Sequence, residues 1–83
     1  KPAIKLRIDF GAKIGIKKSS AQITDHYEPK TLIGKQIVAV INFPKKQIGP
    51  FMSECLVTGF VQDDGDIILA VPDKLALNGS RMA

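Results

Sequence analysis

The 83 residues carry twelve Lys or Arg against eight Asp or Glu, a net charge of +4, with 45% apolar residues, four Phe, one Tyr and no Trp. A chain this short makes one domain over residues 1–83, leaves little room for a catalytic cleft, and has too few rings for a large stacking platform. Cys55 is the single cysteine, which excludes an internal disulfide and a cysteine-based zinc site and fits a reducing, cytoplasmic setting.

From Ala3 to Phe10 the residues alternate, with Ile4, Leu6, Ile8 and Phe10 on one face and Lys5, Arg7 and Asp9 on the other. That pattern predicts a half-buried strand. Gly11-Ala12-Lys13 interrupts it as a tight turn, after which Ile14 and Ile16 resume the apolar side with Gly15 and Lys17 opposite. Ser19, Ser20 and Thr24 are residue types that cap helices, so a short helical turn is expected between Ser20 and Tyr27. Pro29 and Gly34 bracket a second helical turn over Lys30–Ile33, with glycine in the left-handed position after it.

Gln36 to Ile41 is nearly all apolar and reads as a strand buried on both faces. Asn42 to Phe51 contains Pro44, Gly49 and Pro50 and reads as a loop. Cys55 to Val61 is again a strand. Asp63-Asp64-Gly65-Asp66 is a hairpin turn, with Ile67 to Val71 returning, and Asn78-Gly79 marks a last turn before a short terminal strand. About five short strands with only helical turns between them predict an all-β domain of small-barrel type. No apolar run approaches the ~20 residues of a membrane span.

The charge is unevenly placed. Residues 1–50 hold ten Lys or Arg against Asp9, Asp25 and Glu28, a net of +7, whereas residues 51–83 hold Lys74 and Arg81 against five acids, a net of −3. Such polarity suits one phosphate-facing side, with uneven solvation as the plain alternative. Lys17-Lys18-Ser19-Ser20 combines two ammonium groups and two hydroxyls before the expected helical turn, a phosphate-attracting set whose ordinary reading is a solvated strand end. Lys45-Lys46 lies in a segment restrained by Pro44 and Gly49, which lowers the cost of ordering its charges on a ligand.

Cys55 is flanked by Leu56 and Val57 and reads as a structural thiol. His26, the only histidine, has no second soft ligand near it in sequence and reads as a surface residue. No base, nucleophile and oxyanion donor line up, so the chain reads as non-enzymatic, without metal or cofactor.

Lys17-Lys18-Ser19-Ser20-Ala21-Gln22-Ile23-Thr24, Asn42-Phe43-Pro44 and Ile48-Gly49-Pro50-Phe51-Met52-Ser53-Glu54-Cys55-Leu56-Val57 resemble the signature segments of the CsaA family. They are also similar to the wider tRNA-binding domain attached to some methionyl-tRNA synthetases. The resemblance runs to Asn78-Gly79 and implies a five-stranded OB-fold barrel, a homodimer, tRNA as partner, and a chaperone role in protein export. The family domain begins with a further strand ahead of the position of Lys1, so the resemblance implies an N-terminally incomplete domain. Carried over by position, Lys17, Lys18, Ser19, Ser20 and Gln22 line one side of a nucleic-acid groove, and Lys45, Lys46 and Ser53 the other. Glu54 repels phosphate and is expected to make a structural hydrogen bond. The alternative is a chaperone that binds unfolded preproteins, and meets the export machinery, through apolar surface at Phe43, Ile48, Phe51 and Met52.

Overall fold

The computed structural model describes residues 2–83. Its elements are β1 (Ile4–Asp9), α1 (Gly11–Ile14), β2 (Ile16–Ala21), α2 (Pro29–Leu32), β3 (Ala39–Val40), β4 (Lys46–Ile48), β5 (Phe51–Ser53), β6 (Leu56–Val57), β7 (Gly59–Val61) and β8 (Ile67–Leu69). The all-β class follows the sequence expectation. Among the described residues the strands are eight rather than five, shorter, and paired two by two in antiparallel ladders that do not close into a barrel: β1 with β2, β3 with β6, β4 with β5, and β7 with β8. Among the described residues no helix is long and apolar enough to cross a membrane.

Backbone bonds outside the ladders tie these pairs together. Val38 N–H donates to Ala70 O at 2.9 Å, Ala70 N–H to Thr58 O at 3.1 Å, and Thr58 N–H to Val38 O at 3.1 Å, a closed ring joining the β3, β6–β7 and β8 ends. The Thr58 hydroxyl adds a 2.7 Å bond to the same Val38 oxygen. Thr58 thus separates what reads in sequence as one strand from Cys55 to Val61. Its backbone turns to two different partners, so the run splits into β6 and β7.

The core gathers around Ile4, Ile23 and Leu69, with Leu6, Ala21, Tyr27, Leu32, Ile37, Val57 and Ile67 packed against it. Tyr27 secures the segment before α2, because its hydroxyl accepts the Leu69 N–H at 3.0 Å. His26 does the same from the surface, with Nε2 at 2.9 Å from Asp66 Oδ2. At the other end Gln36 clamps the tail, donating to Ala76 O at 2.6 Å and accepting the Ala76 N–H at 3.0 Å. The Asn78-Gly79 turn then sits so close to Phe10 that a methyl group at Gly79 would overlap the Phe10 carbonyl oxygen. Among the described residues no strand follows that turn, and Ser80 after it bonds back to Leu77 O.

Three further expectations are corrected. The stretch after Ser19 is not helical: β2 runs on to Ala21, paired with β1 along its whole length, and residues 24–26 form only a turn. Gln36–Ile41 is half-buried over most of its length, with Val40 exposed and only Ala39–Val40 in a ladder. Asn42–Phe51 is not all loop, since Lys46–Ile48 and Phe51–Ser53 form a hairpin. Gly49 and Pro50 are its two turn residues and Pro44 lies before it, so neither proline removes a ladder donor. The helical turn opened by Pro29 forms as expected, shifted by one residue to Pro29–Leu32.

Candidate nucleic-acid interface

Register decides which cations share a face. In β1–β2, Lys5 faces Ser20, Arg7 faces Lys18, and Asp9 faces Ile16, while Ile4, Leu6 and Ile8 face Ala21, Ser19 and Lys17. Because directly opposed residues project from the same side of a sheet, Lys5, Arg7, Lys18 and Ser20 form one outer set. Lys17 belongs to the inner set. The apolar phase read from Ile14 and Ile16 is therefore inverted: α1 takes up Ile14, and β2 begins with Ile16 outward at 56% exposure. A one-residue slip exchanges the faces of a whole strand.

The inner set explains the serines. Ser19 is 1% exposed and Ser53 5%, and both hydroxyls donate to the Cys55 carbonyl, at 2.8 Å and 3.2 Å. This is a frame joining β2, β5 and the start of β6. Cys55 lies beneath it, buried, and desolvation pushes its thiol above the ordinary value of 9.0.

Two lysines of the outer set approach the ring of Phe51, with Lys5 Nζ 5.4 Å and Lys18 Nζ 5.5 Å from its centroid. Phe51 is half-buried in β5 and shares its hairpin face with Lys46, Ile48 and Ser53. Glu54 closes this edge. It accepts the Lys18 N–H at 2.9 Å through Oε1 and approaches Lys45 Nζ at 3.6 Å through Oε2. The Lys18 N–H holds its carboxyl below the ordinary value of 4.5, against a smaller opposing push from burial. The structural hydrogen bond expected of Glu54 is present.

The ion pairs among the described residues are His26–Asp66 and Lys45–Glu54, so Lys5, Arg7 and Lys18 make no direct ion pair among them, and the Lys18 ammonium meets the Glu54 carboxylate only through its longer-range charge. Asp9, on the same face, turns its carboxylate to the Gly11 N–H at 2.8 Å. Like charges placed opposite one another on a ladder are destabilising. Arg7 against Lys18 is such a pair, exposed to solvent on the outer face.

Of the remaining candidates, Ser20 and Gln22 line an open hollow of ≈320 Å³ together with Leu56, Val57, Gly59 and Ile67. Lys45 and Lys46 are exposed at the base of the β4–β5 hairpin. Among the apolar alternatives, Ile48 is 43% exposed, Phe43 and Met52 are half-buried, and Met52 faces Gln47 on the side of the hairpin away from Phe51. Sequence reasoning did not single out Lys5 and Arg7 as candidates. Their alternation with Ile4, Leu6 and Ile8 was the available signal, but only the register with Lys18 turns it into a site.

The family model described as a putative tRNA binding domain matches residues 1–81. The crystal structure of chaperone CsaA from Bacillus anthracis superposes with a TM-score of 0.94 at 52% identity, over 99% of this chain and 74% of that one. The CsaA chaperone protein of Picrophilus torridus gives a TM-score of 0.92 at 52% identity, over 100% and 75%. The methionine–tRNA ligase of Chlorobium chlorochromatii is 28% identical over 76 residues, which is 92% of this chain but 10% of the ligase. The chain thus spans about a tenth of the length of the curated relatives it matches.

Proposed function

Because the chain belongs to the putative tRNA binding domain family, and within it to the CsaA type, we propose that it is a non-catalytic module that binds tRNA. The observation that carries this is the outer face of β1–β2, where Arg7 opposes Lys18 and Lys5 lies nearby without a carboxylate partner among the described residues. Polyanion binding relieves that repulsion and releases counterions. Lys5, Arg7, Lys18 and Ser20 form one wall, Lys45 and Lys46 on the hairpin the other, with Gln22 at the end of the groove and Lys17 at its inner margin. Ser19 and Ser53 act as the frame beneath it.

The four ladders are read as an OB-type barrel, one domain over residues 1–83. This is supported by the Val38–Ala70–Thr58 ring and by the Glu54 N–H bond to Lys18 O at 2.7 Å, which link the pairs. A homodimer is supported by apolar surface that a second copy would cover: Phe60 is 63% exposed, Val61 73%, Leu75 92% and Leu77 85%. A free, buried Cys55 suits a reducing cytoplasm.

A second reading draws on the word chaperone in the names of the two structural neighbours. Phe43, Ile48, Phe51 and Met52 would then hold unfolded preproteins on their way to the export machinery, and the exposure of Ile48 favours it. Filter binding with bulk tRNA at several salt concentrations separates the two. RNA binding falls linearly in log affinity against log salt, while capture through apolar side chains changes little. Absence of tRNA binding at low salt rejects the first reading.

A further inference from the structure

Resting on the tRNA-binding reading, we propose that Phe51, Lys5 and Lys18 form a subsite for one unpaired nucleotide, its base stacked on the Phe51 ring and its phosphate held by the two ammonium groups. Both lysines lie within 5.5 Å of the ring centroid, and neither is held in a direct ion pair among the described residues. In water an exposed ammonium gains little from a ring, so this arrangement is easily exchanged for a better one. A phosphate alone draws the lysines away and leaves the ring uncovered. A flat apolar group alone covers the ring and leaves the charges unmatched. A nucleotide supplies both parts at once, an aromatic face for Phe51 and an anion for Lys5 and Lys18.

The base must be unpaired. In a duplex each base face is covered by its neighbours, whereas loops, bulges and ends expose faces that stack on aromatic side chains. Arg7, opposite Lys18 in the ladder, extends the cationic strip to the next phosphate. Phe51 thereby acts as an RNA contact rather than as part of a peptide-binding surface.

The test uses the full-length protein and a ten-nucleotide single-stranded RNA carrying one 2-aminopurine, whose fluorescence falls when the base stacks. Wild type and Phe51→Tyr, which keeps the ring, quench it on binding, and Phe51→Leu does not. Phe51→Leu weakens RNA binding by roughly 5- to 150-fold, the range of a lost base–aromatic stack, with an unchanged salt slope. Lys5→Ala shallows the slope by about 0.7. A blunt duplex of the same sequence competes at least tenfold more weakly than the single strand.

Wild-type binding without quenching overturns the subsite whether or not any variant folds. So does equal competition by the duplex, or a folded Phe51→Leu that binds RNA like wild type while losing an unfolded, alkylated polypeptide. Bulk tRNA is titrated in parallel. If tRNA binds and the stacking signals are absent, the subsite alone fails; if neither tRNA nor the oligonucleotide binds, the tRNA-binding reading falls with it.

Discussion

Lys18 and Glu54 clasp each other in both directions: the Glu54 N–H donates to the Lys18 carbonyl at 2.7 Å, and Glu54 Oε1 accepts the Lys18 N–H at 2.9 Å. The clasp joins the exit of the β4–β5 hairpin to the middle of β2 and so seats Phe51 beside Lys18. It also leaves a carboxylate at the edge of a cationic face, where its presence opposes a polyanion.

Glu54 therefore has two separable effects. Glu54→Gln keeps an oxygen for the Lys18 N–H and removes the charge, so it retains the fold and tightens tRNA binding. Glu54→Ala leaves that N–H unpartnered and lowers the urea midpoint. The folded carboxyl titrates below its ordinary 4.5, so its contribution to stability is complete above that value and is lost as pH falls through the depressed one. Acid unfolding of Glu54→Gln should lack that component, and identical acid profiles for the two proteins would show that the clasp has no electrostatic role.

The frame serines separate from the surface lysines by their phenotype. Ser19→Ala removes the 2.8 Å bond to the Cys55 carbonyl and should cost about 1 kcal/mol in a denaturant melt. The tRNA affinity of the folded protein stays at the wild-type value. A folded Ser19→Ala with weakened binding and full stability would instead place the hydroxyl on the RNA.

Lysines on the two walls should each register in the salt dependence. Lys18→Ala shallows the slope of log affinity against log salt by about 0.7 to 0.9, and Lys45→Ala with Lys46→Ala by about 1.4 to 1.8. The losses nearly add when the sites are independent. Lys74→Ala, in the acidic half, is the control and leaves the slope unchanged; a loss there equal to the others rejects an oriented groove.

The tail turn gives a packing prediction. Gly34 and Gly79 have φ of 82° and 87°, but a methyl group at Gly34 meets open space while one at Gly79 overlaps the Phe10 carbonyl. Gly34→Ala should cost about 1 kcal/mol, the conformational penalty alone. Gly79→Ala should cost distinctly more, read as a lower melting temperature, and equal melting temperatures would mean that the tail does not bear on Phe10.

Cys55, buried and with its thiol pushed upward by desolvation, should resist alkylation at neutral pH until the protein unfolds. Mass spectrometry after a timed iodoacetamide exposure reads this directly. Labelling at the rate of a free thiol in native buffer would contradict the burial.

The sequence by itself determined the all-β class, the hairpin turn at Asp63–Asp66, the helical turn opened by Pro29, and the basic character of the first fifty residues. These are local properties, set by alternation, by turn residues and by charge count, and they survive any arrangement of the rest. The quiet role of Cys55 was equally legible from its apolar neighbours, and that of Glu54 from the repulsion between a carboxylate and phosphate at a position the family resemblance placed in the groove. Tertiary structure decided which side of each strand the residues occupy. Lys17 and Lys18 are adjacent in sequence and equal in chemistry, yet the pairing with β1 turns one inward beside Ile8 and the other outward beside Arg7. Lys5 acquires a functional reading only when the β4–β5 hairpin, read as a loop in the sequence, carries Phe51 to it from 46 residues away. Register and the docking of one hairpin on another depend on contacts distant along the chain, which no local pattern encodes.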